Sequence, residues 1–107
     1  MHFVGDGDDP YGVAQRLLAA LPSGSYLALS HLTGDFDPVA WEHVAAIYRR
    51  TGVTMRVRPK ADVERFFTGL ELVDPGVDVI TRWRPDSSDV PPADGQVSVY
   101  GGVARKP

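Results

Sequence analysis

A chain of 107 residues with a formal net charge of −3 has room for one modest hydrophobic core, and its ordinary apolar content makes that core attainable. The absence of cysteine excludes a disulfide framework, a thiolate metal site and a cysteine nucleophile, and it fits a cytoplasmic protein. No apolar run reaches the length of a membrane span, and the first residues lack the basic start and apolar core of a signal peptide.

The chain opens on what reads as a stub of strand, His2-Phe3-Val4, followed by an acidic loop holding Asp6, Asp8 and Asp9. Asp9 is a good helix N-cap and Pro10 suits the first helical position. Ala14, Leu17, Leu18 and Leu21 then recur at helical spacing, and Pro22-Ser23-Gly24 ends the helix. Residues 25–30 are apolar without alternation, which predicts a strand buried on both faces, as in a parallel sheet. A second helix repeats the start signal with Asp37 and Pro38. Its stripe is Trp41, Val44, Ala45 and Tyr48, with Arg49 and Arg50 at the cation-favouring end and Gly52 as C-cap.

Residues 53–59 read as a connector, and a third, shorter helix near 60–68 carries Val63, Phe66, Phe67 and Leu70 before Gly69 stops it. Val77, Val79, Thr81 and Trp83 alternate with Asp78, Ile80, Arg82 and Arg84 and predict a strand. Residues 85–95 read as a loop, and residues 97–100 as the last strand, with Gly101-Gly102 marking a bulge. Trp41, Phe66 and Phe67 are expected in the core, and Trp83 and Tyr100 are expected to pair across a final antiparallel hairpin. The order is α/β: a βαβ-like first half and an antiparallel finish, as in the second half of a doubly wound domain.

Each candidate for chemistry has a plain alternative. An EF-hand starting at Asp6 would need oxygen ligands where Pro10 and Leu17 stand, so the calcium pattern fails. Gly5-Asp6-Gly7 has two glycines of a dinucleotide turn, but Pro10 occupies the third position and the carboxylates repel phosphate. A helix cap with acids near the positive end of the dipole is the better reading. His43 lies mid-helix and reads as structural. His2 and His31 each fall at the C-terminal end of a predicted strand, the place where open α/β sheets bind ligands. Adjacent parallel strands would bring them together, a general-base signal, against the alternative of two loop-entry histidines with satisfied hydrogen bonds. Ser30-His31 lacks a nucleophile elbow. The arginines between residues 49 and 65 lack interleaved aromatics and read as a solvated face, against a nucleic-acid interface.

Four blocks, HFVGDGDDP, LPSGSYLALSHLTGD, VERFFTGLELVDPG and RWRPD…VSVYGGVARKP, occur in that order. Over nearly the full chain they resemble the C-terminal part of the actinobacterial S-adenosylmethionine-dependent methyltransferase family. The resemblance implies the C-terminal half of a Rossmann-like methyltransferase sheet with an antiparallel terminal strand pair, so that residues 1–107 form a single partial domain. His2-Phe3-Val4 would end the fourth strand and residues 25–31 would be the fifth. It implies methyl transfer from S-adenosylmethionine to a small-molecule acceptor, the protein mainly positioning the two.

The family's first strand, Gly-rich turn and ribose-binding acid have no counterpart in these residues. The isolated chain is therefore expected to be incapable of full cofactor binding. By position, His2, Phe3, Asp6, Ser30 and His31 would line the acceptor side, with His2 or His31 accepting a proton. The alternative is a non-catalytic truncated remnant that self-associates or binds a partner, a second copy covering the exposed strand-four side.

Overall fold

Two Asp-Pro pairs start the two longest helices of the computed structural model, which describes residues 1–86, 90 and 92–107. Helix α1 (Pro10–Ala19) is capped by Asp9, whose carboxylate accepts from the Gly12 N–H at 3.2 Å. At its far end the Lys106 ammonium donates to the Leu18 and Leu21 carbonyls at 2.8 and 2.6 Å, a cation on orphan acceptors. Helix α2 (Pro38–Arg50) is capped the same way, Asp37 accepting from the Ala40 N–H at 3.2 Å, and Gly52 follows it at φ +81°. Helix α3 (Lys60–Glu64) tightens into a 3-10 turn over Arg65–Phe67, and Gly69, again at φ +81°, turns the chain away.

One sheet receives these helices. Strands β1 (Tyr26–Leu32), β2 (Glu71–Leu72), β3 (Asp78–Val79) and β4 (Val99–Arg105) are all antiparallel, and the short helix α4 (Asp94–Val97) leads into β4. Strand β4 is central. It pairs along one edge with the whole of β1, from Tyr26↔Arg105 to Leu32↔Val99. Along the other edge it pairs in turn with β2 and β3. Ala14, Val63, Phe66, Phe67, Val77, Val79, Tyr100 and Ala104 form the core, with Leu27 and Leu29 of β1 packed against it. The core covers one face of the sheet. The other face is open around Ala28, Ser30, Ile80, Trp83, Gly101 and Val103, where a shallow cavity of about 330 Å³ lies. The molecule is accordingly thin, 41 × 40 × 19 Å.

Several sequence expectations are corrected by this packing. Strand β1 is buried on one face only: Tyr26, Ala28 and Ser30 are exposed because no layer among the described residues covers them. Met1–Val4 forms a turn, the Val4 N–H donating to the Met1 carbonyl at 3.0 Å, rather than a strand end. No strand pairs with β1 on its free edge among the described residues. The predicted strand around residues 77–83 is cut to Asp78–Val79, since Ile80–Arg82 turns as a 3-10 helix.

The Trp83 indole donates to the Gly76 carbonyl at 3.0 Å, so Trp83 does not pair with Tyr100, whose strand partners are Val79 and His31. Gly101-Gly102 makes no bulge. Both stay in the ladder, and a Cβ at Gly102 would lie 3.0 Å from the Phe67 ring, so glycine is what lets that ring approach the backbone. Trp41 is half-exposed rather than core. Residues 94–97, expected in a loop or strand, are helical. The remainder of the predicted 85–95 loop includes residues 87–89 and 91, which lie outside the described residues.

Candidate functional site

The carboxyl end of β1 is where the chain concentrates its buried polar groups. His31 and Thr33 are both 0 % exposed, and beside them lies Arg58, 1 % exposed, from the connector between α2 and α3. The connector runs extended past the opening loop and the strand end. The Arg56 N–H donates to the His2 carbonyl at 2.6 Å and the Arg58 N–H to the Leu32 carbonyl at 3.3 Å. That path aims the Arg58 side chain inward.

Its guanidinium fork then meets partners on two separate segments. Nη1 donates to the Met1 carbonyl at 3.1 Å and to His31 Nε2 at 2.8 Å. Nη2 donates to the Val4 carbonyl at 2.8 Å and to Asp6 Oδ1 at 3.0 Å. A buried guanidinium is tolerable only when its donors are used in this manner. The arginine also lies over the Phe66 ring, 5.7 Å from its centre, which adds a cation–π contact on the apolar side.

The contacts fix the state of His31. Its Nδ1 is 2.6 Å from the Leu32 carbonyl, an acceptor only, so Nδ1 carries the proton and Nε2 offers its lone pair to Arg58. Burial is the main reason that the imidazole pKa falls from 6.5 to about 4. The Leu32 hydrogen bond opposes that shift, and the Arg58 charge reinforces it. His31 is therefore neutral near pH 7 and both of its nitrogens are engaged.

His2 is different. Its ring meets His31 edge-on with centroids 5.5 Å apart and touches Phe3 at 4.5 Å, and Phe3 in turn reaches Tyr48 of α2 at 5.6 Å. Burial lowers the His2 pKa, and nearby positive charges at the Met1 amino group and Arg58 add to the effect. Its Nδ1 is buried and has no hydrogen-bond partner among the described residues. A neutral imidazole accepts a proton through whichever ring nitrogen carries its lone pair.

Four of the five residues singled out from sequence thus come together. His2 and Phe3 lie on the turn, Asp6 on the 3-10 turn Asp6–Asp8, and His31 at the strand end. The Asp6 carboxylate bridges two arginines, Arg58 through Oδ1 and Arg56 through Oδ2 at 2.9 Å. Ser30 is not with them. Adjacent strand residues face opposite ways, and Ser30 opens onto the uncovered face of the sheet.

Arg58 corrects the reading of residues 49–65 as a solvated face. Nothing local separates it from Arg56 two residues earlier, which is exposed, and only the distant carbonyls of Met1 and Val4 explain its burial. No cluster of His, Cys, Asp or Glu suited to a metal ion occurs among the described residues, and no helix there is long and apolar enough to cross a membrane.

A strand whose carboxyl end carries the site, followed by an antiparallel terminal pair in which the last strand inserts beside it, defines the C-terminal half of a Rossmann-like methyltransferase sheet. The chain belongs to the S-adenosyl methyltransferase family, whose model matches residues 1–107.

Among solved structures it is similar to a DUF574-family protein of Streptomyces avermitilis MA-4680, with 46% identity and a TM-score of 0.92 over 99% of this chain and 41% of that one. It is also similar to a protein of Thermobifida fusca YX whose description proposes a methyltransferase, with 31% identity and a TM-score of 0.82 over 98% of this chain and 40% of that one. The chain spans about two fifths of the length of these structures. No curated protein matches it.

Proposed function

We propose that this chain forms the acceptor-side part of an S-adenosylmethionine-dependent methyltransferase acting on a small molecule in the cytoplasm. The observation that carries the reading is the Arg58 fork, which ties the opening loop to the end of β1 and so builds a fixed wall of His2, Phe3 and Asp6. Within that wall His2 is the proton acceptor, because both nitrogens of His31 are engaged while burial and nearby positive charge keep the His2 imidazole neutral. His31 is a positioning residue, because its lone pair is spent on Arg58. Ser30 has no part in this wall.

The residues present do not fit the whole cofactor. S-adenosylmethionine, when bound, supplies an electrophilic methyl group, and such nucleoside cofactors are held by a Gly-rich turn that opens a helix after a strand. The turn before α1 instead carries three carboxylates; Asp6 is already committed to two arginines, and Asp9 to the Gly12 N–H. The chain as given is therefore expected to bind S-adenosylmethionine weakly or not at all. Calorimetric titration tests this, and a tight, saturable isotherm would overturn it.

A second reading is favoured by one observation: among the described residues β1 has a free edge and an open face beside it. A non-catalytic module that self-associates there would show concentration-dependent mass in light scattering, whereas a stable monomer would count against it.

A further inference from the structure

Helix α2 is long, yet none of its residues is buried, and its apolar stripe does not reach the core. It stands beyond the carboxyl end of β1, facing the connector that carries Arg58. Between the two lies a groove of about 460 Å³, lined by Pro38, Trp41, Ala45 and Arg49 from α2 and by Met55 and Val57 from the connector. The volume is that of a small-molecule site, and the position is where open α/β sheets bind ligands.

Trp41 was expected in the core but contributes its half-exposed indole to this wall instead. Its Cβ lies close to Gly34, where an added Cβ would meet Val57 at 3.2 Å and Trp41 at 3.6 Å, so the bare glycine keeps that end of the groove tight.

The charges on the rim are not equivalent. Arg56 is held by Asp6 at 2.9 Å. Asp35 accepts from the Tyr100 hydroxyl at 2.8 Å and from the Lys60 N–H at 3.0 Å. Arg49 and Glu42 have no ion pair among the described residues. From Pro38 to Arg49 the helix rises roughly 16 Å, so Arg49 marks one end of the groove and Glu42 its middle.

We infer that this groove is a small-molecule site beside the wall of His2, Phe3 and Asp6, and that it takes a small hydroxylated aromatic carboxylate. The ring packs on Trp41, the carboxylate meets Arg49, and the hydroxyl donates to Glu42. The binding chemistry stands on the groove alone. A free arginine at the end of an apolar, aromatic-walled slot selects an anion attached to a flat ring.

The probe is 4-hydroxybenzoate, followed through Trp41 fluorescence in the Trp83→Phe protein, which leaves Trp41 as the sole indole. Saturable quenching is expected. Affinity is expected to fall about tenfold for the neutral methyl ester of the probe, and by a similar factor in Arg49→Met, since a charge-assisted hydrogen bond is lost in each case. Arg49 is exposed, and circular dichroism checks that the variant stays folded.

Equal affinity for acid and ester, or no saturable change at millimolar probe, would overturn the assignment.

Discussion

Replacing Arg58 with alanine removes a guanidinium that is 1 % exposed and donates four hydrogen bonds. The Asp6 carboxylate is 58 % exposed and can return to water at little cost. The Met1 and Val4 carbonyls and His31 Nε2 lose a partner in a region that water reaches poorly, at about 1 kcal/mol each. The expected destabilisation is therefore about 3 kcal/mol, within the range for breaking a buried charged network.

Arg56→Ala is the matched control. It removes the other arginine on the same Asp6, but that pair is exposed and is expected to contribute less than about 1 kcal/mol. Urea unfolding monitored by circular dichroism reads both. With a slope of about 1.5 kcal/mol per molar, typical of small proteins, Arg58→Ala should lower the midpoint by about 2 M at unchanged slope, and Arg56→Ala by less than about 0.7 M. Arg58→Lys should fall between, because one ammonium cannot span the fork. Equal, small shifts for Arg58→Ala and Arg56→Ala would refute the clamp.

Two further outcomes follow from the packing. His31 has a native pKa of about 4 against an ordinary 6.5, so below pH 6.5 the unfolded chain binds a proton that the native state refuses. Stability is then expected to fall by about 3 kcal/mol between pH 6.5 and pH 4, with no His31 contribution above pH 6.5, and His31→Gln should remove most of that slope. Gly102→Ala would press a methyl against the Phe67 ring at 3.0 Å and should cost about 1–3 kcal/mol. Gly101→Ala meets Ile80 only at 3.6 Å and should be close to neutral, as thermal unfolding of the two variants would show.

Features set by neighbours in the chain were legible in the amino-acid sequence. Asp9-Pro10 and Asp37-Pro38 start helices because a short acidic side chain and a fixed φ act within one turn, and Gly69 turns the chain away after the 3-10 turn that follows α3 because glycine enters the left-handed region freely. The meeting of His2 and His31 was expected for a different reason, adjacent parallel strand ends; in the structure His2 lies on a turn that Arg58 holds against the end of β1. The burial of Arg58 was not legible, since three of its four partners lie more than fifty residues away and the nearest arginine in the chain, Arg56, is exposed.

Strand lengths were misjudged for a related reason. Gly101 and Gly102 signal a bulge by composition, but Phe67 and Ile80 pack over the bare backbone and keep the ladder regular. The alternation around residues 77–83 suggests a long strand, but the chain turns at Ile80, where pairing with β4 ends. Trp41 sits on a helical stripe that reads as core, and only the placement of α2 beyond the strand end leaves it in a groove.

The joining of the opening loop to the end of β1 through Arg58 underlies every role given to the site, and the protonation state of His31 reports on it most directly. Nitrogen-15 NMR of the two imidazoles against pH is the measurement. The expected result is a His31 ring protonated on Nδ1, neutral at pH 7 and titrating only near pH 4, with the Nε2 signal changed in Arg58→Lys. A His31 ring that titrates near 6.5 and is indifferent to Arg58 would contradict the account.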